Sequence, residues 1–254
     1  MSSPVIRPAV FDVFSDVAAG MSTRHGGVSS PPFASLNLDN RGPDTLSNRE
    51  ENRKRFCAEL GFGAEALVRS LQIHETHILA ADTPGLFEGY DAFVTNRKGL
   101  LLSVSVADCV PVLIYDHQNK AIGAAHAGWR GTVAGIVTKA LEKMKELYGT
   151  HGGHCWAYIG PCIDECSFEV GEEVAVQFDD RYKQWNADRQ KFFVDLKKAN
   201  AAQLRRFGIP AAQIEISPLS TVLHNDRFFS YRQEAGATGR MLAGIGLRGQ
   251  FDPL

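Results

Sequence analysis

The chain has 254 residues, 44% hydrophobic and 22% charged, with 27 basic and 29 acidic side chains for a formal net charge of −2. That length and apolar content suffice for a large buried core. The near balance of charge argues against a dedicated nucleic-acid surface, which would carry a basic excess.

No run approaches the ~20 apolar residues of a membrane span. Arg7, Asp12 and Asp16 interrupt the N-terminal apolar stretches, so no signal-peptide core is visible and a cytoplasmic protein is expected. The five cysteines (Cys57, Cys109, Cys155, Cys162 and Cys166) are odd in number and do not read as a disulfide framework. Without a repeat or a convincing linker, residues 1–254 are expected to form one domain.

Along the chain, Gly-rich TRHGGVS (23–29) reads as a turn that could hold an anion on its backbone N–H groups beside Arg24. A helix is predicted over about Asn48–Leu60, closed by Gly61. Leu100–Val106 and Val110–Tyr115 are apolar runs of the kind that form strands buried on both faces. DHQNK (116–120) is a polar turn leading to a third short strand, Ala121–Ala125, that ends at His126. Val133, Ile136, Val137, Ala140, Leu141, Met144 and Leu147 follow helical spacing towards a C-cap at Gly149. A last helix is expected from an N-cap at Asp195 to Phe207, with Gly208 beyond it. Strands beside helices imply a mixed α/β fold.

Chemistry concentrates in ADCVP (107–111) and HAGWRG (126–131). Cys109 and His126 sit at the ends of successive strands, where a rigid scaffold meets solvent and ligand. The turn through Gly128, Trp129, Arg130 and Gly131 leads into a helix whose start would offer an anion site. QIH (72–74) adds His74. One thiolate and two imidazoles suit zinc or copper, and three protein ligands leave the open position of a catalytic zinc. His77, three residues after His74, and a looser group of His151, His154, Cys155, Cys162 and Cys166 read more simply as solvated or loop residues.

These segments, with NRKR (52–55), DAFVT (91–95), IGPCI (159–163), FEVG (168–171) and FFSYR (228–232), resemble the YfiH family, also called the multicopper polyphenol oxidase or laccase-domain family. The resemblance covers nearly the whole chain. It implies a layered α/β/β/α sandwich with mixed sheets, and metal ligands at His74, Cys109 and His126. It also implies zinc-dependent phosphorolysis of purine nucleosides, methylthioadenosine included, with adenosine deamination. Substrates would then be a nucleoside and phosphate, with Arg24, Arg53 and Arg130 as phosphate clamps and Asp108 or Glu75 in proton transfer. The family's usual Gly after Q-x-H is replaced here by Glu75.

Two other readings compete. One is a copper-dependent polyphenol oxidase, for which eight histidines are few and scattered. The other is a metal-free cysteine hydrolase with Cys109 as nucleophile, His126 as base and Gln72 as orienting group.

Overall fold

The computed structural model describes residues 3–249. In chain order, β1 (Val5–Ile6) and β2 (Val17–Ser22) precede α1 (Leu46–Leu60). Then come β3 (Leu67–Leu71), β4 (Ile78–Ala80), β5 (Gly85–Glu88) and β6 (Ala92–Thr95). The centre of the chain is β7 (Leu101–Val106), β8 (Val110–Asp116), β9 (Ala121–Ala127), α2 (Trp129–Val133) and α3 (Ile136–Tyr148). The remainder is β10 (Cys155–Ile159), β11 (Glu169–Val170), α4 (Glu172–Ala175), β12 (Lys183–Asn186), β13 (Lys191–Val194), α5 (Leu196–Arg206), β14 (Ile214–Ile216) and β15 (Met241–Leu247).

Two six-stranded sheets, β1-β2-β15-β7-β3-β5 and β14-β10-β8-β9-β6-β4, carry the fold, with β11-β13-β12 as a small third sheet. Both large sheets are mixed: β3 runs parallel to β5 and β7, and β4 to β6, among antiparallel neighbours. Alternation along the strands explains the layering. Leu102, Val104 and Ile245 of the first sheet meet Leu113, Tyr115 and Ile122 of the second in one apolar cluster. The opposite face of the second sheet, through Val112, Ile114 and Ala125, packs on Ile136, Val137 and Leu204 of α3 and α5. Leu67, Leu101 and Leu242 cover Phe56 and Leu60 of α1 on the far side. The result is the mixed α/β fold read from the residues, arranged as the α/β/β/α sandwich that the family resemblance implies. No helix among the described residues is long and apolar enough to cross a membrane.

The helices begin and end largely where local chemistry dictates. Thr45 accepts a hydrogen bond from the Asn48 backbone N–H, so α1 starts two residues before the expected Asn48. Asp195 caps α5 by accepting from Lys198 N at 2.8 Å. The helical period from Val133 to Leu147 is not one helix. Gly135 adopts a left-handed backbone (φ 76°) and separates the five-residue α2 from α3. Gln203 of α5 bonds both sides of this break, donating to Thr132 O at 2.9 Å and accepting from Thr138 N at 3.2 Å. The short α2 also corrects the expected anion site, since a single irregular turn has little aligned dipole to offer.

Candidate metal centre

The site starts from the β8–β9 hairpin. Asp116 accepts from the backbone N–H groups of Gln118 and Asn119, which fixes the tight turn. The resulting register pairs Val110 with Ala127 and Pro111 with His126. His126 therefore lies inside β9, one residue before its end, and the chain positions Cys109 just beyond β8, beside it. His74 comes from the loop after β3, with a left-handed backbone at φ 63°. One donor atom from each of His74, Cys109 and His126 lies within 4.8 Å of the others.

Gly128 keeps the space between these groups open. A Cβ there would stand 3.1 Å from Cys109 Sγ and 3.3 Å from a carbon of the His74 ring. Two imidazoles and one thiol around such a cradle match the nitrogen and sulfur donors that zinc prefers. Among the described residues this is the only such three-donor group. Burial is graded across it: His126 is buried, Cys109 half-buried and His74 exposed.

Asp91, just before β6, organises the centre and was not identified from the sequence. It is fully buried and accepts four hydrogen bonds. One oxygen takes His126 Nδ1 at 2.8 Å and His74 N at 3.0 Å; the other takes the backbone N–H groups of Ile73 and Glu75, each at 3.1 Å. This carboxylate both holds the unusual backbone of His74 and fixes the His126 tautomer, leaving Nε2 free to act as a donor to an ion. Its sequence signals were an acidic residue directly preceding the apolar AFVT run and its place in the DAFVT segment of the resemblance.

Electrostatics follow from this arrangement. Burial alone would raise the Cys109 thiol, but the charge and hydrogen bonds of His126 and His74 outweigh it and bring the thiol down. Burial would likewise depress His126, yet the Cys109 thiolate and Asp91 raise it. Asp91 is lowered in turn, its burial overcome by the bond to His126. These opposite shifts favour a thiolate beside a protonated imidazole, backed by the Asp91 carboxylate, and an ion would take the place of the imidazole proton.

The three donors open onto a cleft of about 490 Å³. Trp129, Phe168 and Tyr231 line it, and Arg41, Arg232 and Arg240 are its cations. The expected wall of Arg24, Arg53 and Arg130 does not form; none of the three lines the cleft. Arg24 is held by Glu234 at 3.0 Å and stacks over Phe229. Arg53 is buried on α1, and Arg130 is exposed and folded back over the Trp129 ring.

Asp108 lines the cleft, but both its carboxylate oxygens are committed. They accept from Thr221 Oγ1 at 2.6 Å and Arg232 N at 2.7 Å. With a backbone φ of 88°, Asp108 is a fixed post beside Cys109 rather than a free proton carrier. Glu75 is exposed and contributes its backbone N–H to Asp91. Gln72 is tied to both the N–H and the carbonyl of Ser105, so the orienting group for His126 is Asp91. His77 meets the Gly89 carbonyl instead. Cys155 and Cys162 are buried in the core and Cys166 is exposed, so the looser cluster does not assemble.

Comparison with known proteins agrees with this architecture. The profile of a family described as multi-copper polyphenol oxidoreductase laccase matches residues 18–248. A purine nucleoside phosphorylase of Deinococcus radiodurans is 42% identical, the match covering 91% of this chain and 89% of that protein. One of Bacteroides thetaiotaomicron is 37% identical, over 91% and 92%. The crystal structure of the Bacillus licheniformis hypothetical protein YfiH superposes with a TM-score of 0.90 at 31% identity, covering 97% and 98%. That of YlmD from Geobacillus stearothermophilus also reaches 0.90, at 30% identity over 98% of each chain. Layered fold, matching profile and relatives of similar length together show that the chain belongs to the multi-copper polyphenol oxidoreductase laccase family, the YfiH family its motifs resemble.

Proposed function

We propose that the protein is a zinc-dependent purine nucleoside phosphorylase that also deaminates adenosine. The observation that carries this reading is a Cys–His–His centre opening onto an aromatic cleft with three arginines, in a chain whose relatives are named purine nucleoside phosphorylases. The cleft volume falls within the usual range for small-molecule sites. Trp129, Phe168 and Tyr231 offer ring faces for a purine. Arg41, Arg232 and Arg240 bring positive charge to where phosphate would meet the ribose, and to the charge that develops as the glycosidic bond breaks. His74, Cys109 and His126 would hold the ion, which when bound supplies Lewis-acid polarisation of an oxygen. Asp91 keeps His126 in register and neutralises charge beneath it, while Asp108 steadies the turn bearing Cys109. Adenosine, inosine, guanosine and methylthioadenosine are the proposed substrates.

A copper polyphenol oxidase would need further histidine clusters, and the described residues hold one three-donor group. A second reading has a specific observation behind it: Cys109, His126 and Asp91 also form the nucleophile–base–orienter arrangement of a cysteine hydrolase. Elemental analysis and Cys109→Ser separate the two. The phosphorylase reading expects about one zinc per chain, lost in the variant, and loss of turnover after prolonged chelation. Full activity in demonstrably metal-free wild type, with inactivation by iodoacetamide, would overturn it in favour of the hydrolase.

A further inference from the structure

Arg24, the cation of the Gly-rich TRHGGVS turn, commits every nitrogen of its guanidinium to protein groups. Nε donates to the Ala34 carbonyl at 3.1 Å and one terminal nitrogen to the Asn225 carbonyl at 2.8 Å, while the other pairs with Glu234 Oε1 at 3.0 Å. The side chains of this ion pair are only 16% and 20% exposed, and the Phe229 ring lies against the guanidinium. The Arg24 backbone adds a further tie, its N–H donating to the Arg227 carbonyl at 2.8 Å. Arg24 thus joins the N-terminal turn to the segment between β14 and β15.

That segment, residues 217–240, lies outside any helix or strand. Its tip, residues 230–238, is a turn in which Gln233, Ala235 and Ala237 are exposed, so apolar packing does little to hold it. Glu234 supplies the hold. Its Oε2 accepts from the Ser230 N–H at 3.1 Å and from the Thr238 hydroxyl, while Oε1 faces Arg24. Burial would raise this carboxyl, but the bonds from Thr238 and Ser230 and the charge of Arg24 outweigh it and hold it low, hence ionised. Two residues of the turn line the cleft. Arg232 is secured independently: its N–H donates to Asp108 Oδ2 at 2.7 Å, and its guanidinium donates to the carbonyls of Ser167 and Glu169. Tyr231 depends on the turn itself. Its side chain is 56% exposed and rests against Gly236, where a Cβ would stand 3.3 Å from the ring. Gly236 in turn adopts a left-handed backbone (φ 86°) and donates its N–H to the Tyr231 carbonyl at 2.9 Å. The place of the Tyr231 ring in the cleft wall is set by the turn that Glu234 closes.

We propose that Arg24 and Glu234 are positioning residues, whose ion pair fixes the 230–238 turn and with it the Tyr231 ring that meets the ligand. A largely buried pair adds little net stability, because desolvation offsets the attraction, but its directional bonds select one arrangement of the turn. Without it the turn samples several arrangements, and a ligand must restore the productive one on binding. Affinity then falls, while the bond-breaking step and the three metal-ligating residues keep their groups. That the ligand is a purine nucleoside rests on the phosphorylase reading; the control of Tyr231 by the pair does not.

The test is steady-state phosphorolysis of inosine by the zinc-loaded full chain, in wild type, Glu234→Gln, Tyr231→Ala and the double variant. Glutamine keeps the shape and one accepting oxygen for Ser230 and Thr238, but turns an NH₂ towards Arg24. In Glu234→Gln the KM for inosine should rise about two- to tenfold, the range of one aromatic contact, with kcat within about twofold and zinc content unchanged. The double variant should have the KM of Tyr231→Ala alone, because the pair acts through that ring. A merely structural role would make the two losses multiply; that result, or an unchanged KM in Glu234→Gln, would overturn the proposal. Should Glu234→Gln fail to fold, Arg24→Lys keeps the charge without the fork and carries the same expectations. Amide hydrogen exchange reads the turn without any substrate. Exchange at Ser230 and Gly236 should quicken in Glu234→Gln, while Arg232, held by Asp108, keeps its protection. Unchanged exchange at both amides would also overturn the positioning role. Quickened exchange in a protein that phosphorolyses no purine nucleoside would support it and sink the phosphorylase reading.

Discussion

Asp91→Asn tests how the centre is held. The carboxylate accepts four hydrogen bonds with no solvent exposure, from three successive backbone N–H groups and one imidazole. An asparagine keeps one accepting oxygen, and its NH₂ must face one of the two pairs. If the nitrogen faces Ile73 and Glu75, two part-buried donors lose their partner. At the low end of about 1–3 kcal/mol each, since both residues are exposed to water, that is about 2 kcal/mol, still a sizeable share of a typical domain's stability. If it faces His74 and His126 instead, one backbone donor is orphaned and His126 must accept at Nδ1. Its proton then moves to Nε2, the atom an ion would need. Either orientation damages zinc binding, and loss of an orienting carboxylate typically lowers metal affinity about 10–100-fold. Urea unfolding and zinc competition against a chromophoric chelator read both effects. A variant within about 1 kcal/mol of wild type and equal in zinc affinity would refute the claim that Asp91 organises the centre.

Gly128→Ala should separate metal binding from folding. The backbone at φ −64° and ψ 172° suits any residue, so stability is expected to stay within about 1 kcal/mol of wild type, while the Cβ crowds Cys109 and His74 and zinc content falls sharply; elemental analysis beside thermal unfolding checks this, and full zinc occupancy would count against the cradle. Asp44 is a buried carboxylate whose burial is outweighed by bonds from Ser29, Asn37, Asn48 and Thr45, so its pKa is lowered on folding. Its contribution is fully present above the ordinary carboxylate value of about 4 and is lost as pH falls through the lower folded value. Asp44→Asn should therefore cost about 1–3 kcal/mol at pH 7 and converge with wild type in acid, and parallel profiles of urea midpoint against pH would contradict this.

What was legible in the sequence was whatever a local pattern dictates. Asp195 and Gly61 mark helix ends because capping involves only neighbouring atoms, and the apolar runs around Cys109 read as buried strands because both faces are covered. Cys109 and His126 could be paired from sequence because one hairpin joins them. The break at Gly135 was hidden, since an isolated glycine leaves the hydrophobic period intact and its φ is decided by the contacts of Gln203. Asp91 escaped because a buried acid before a strand looks like a turn residue until the three N–H groups it collects are known. The arginines that line the cleft were not legible for a related reason: a cation in a Gly-rich motif attracts notice, whereas Arg41, Arg232 and Arg240 meet only through long-range packing.

The gradient of burial across the three donors has a consequence for exchange with solution. His74 is exposed, and the short segment 73–75 that carries it is pinned by three backbone bonds to a single carboxylate. Cys109 and His126, by contrast, belong to a hairpin in the middle of a sheet. Local opening of that segment needs far less free energy than global unfolding. It would remove one donor and leave the other two in place. Metal uptake and release would then run through a two-donor intermediate at the rim, at a rate set by a few residues and insensitive to substitutions that change only the overall stability of the sandwich.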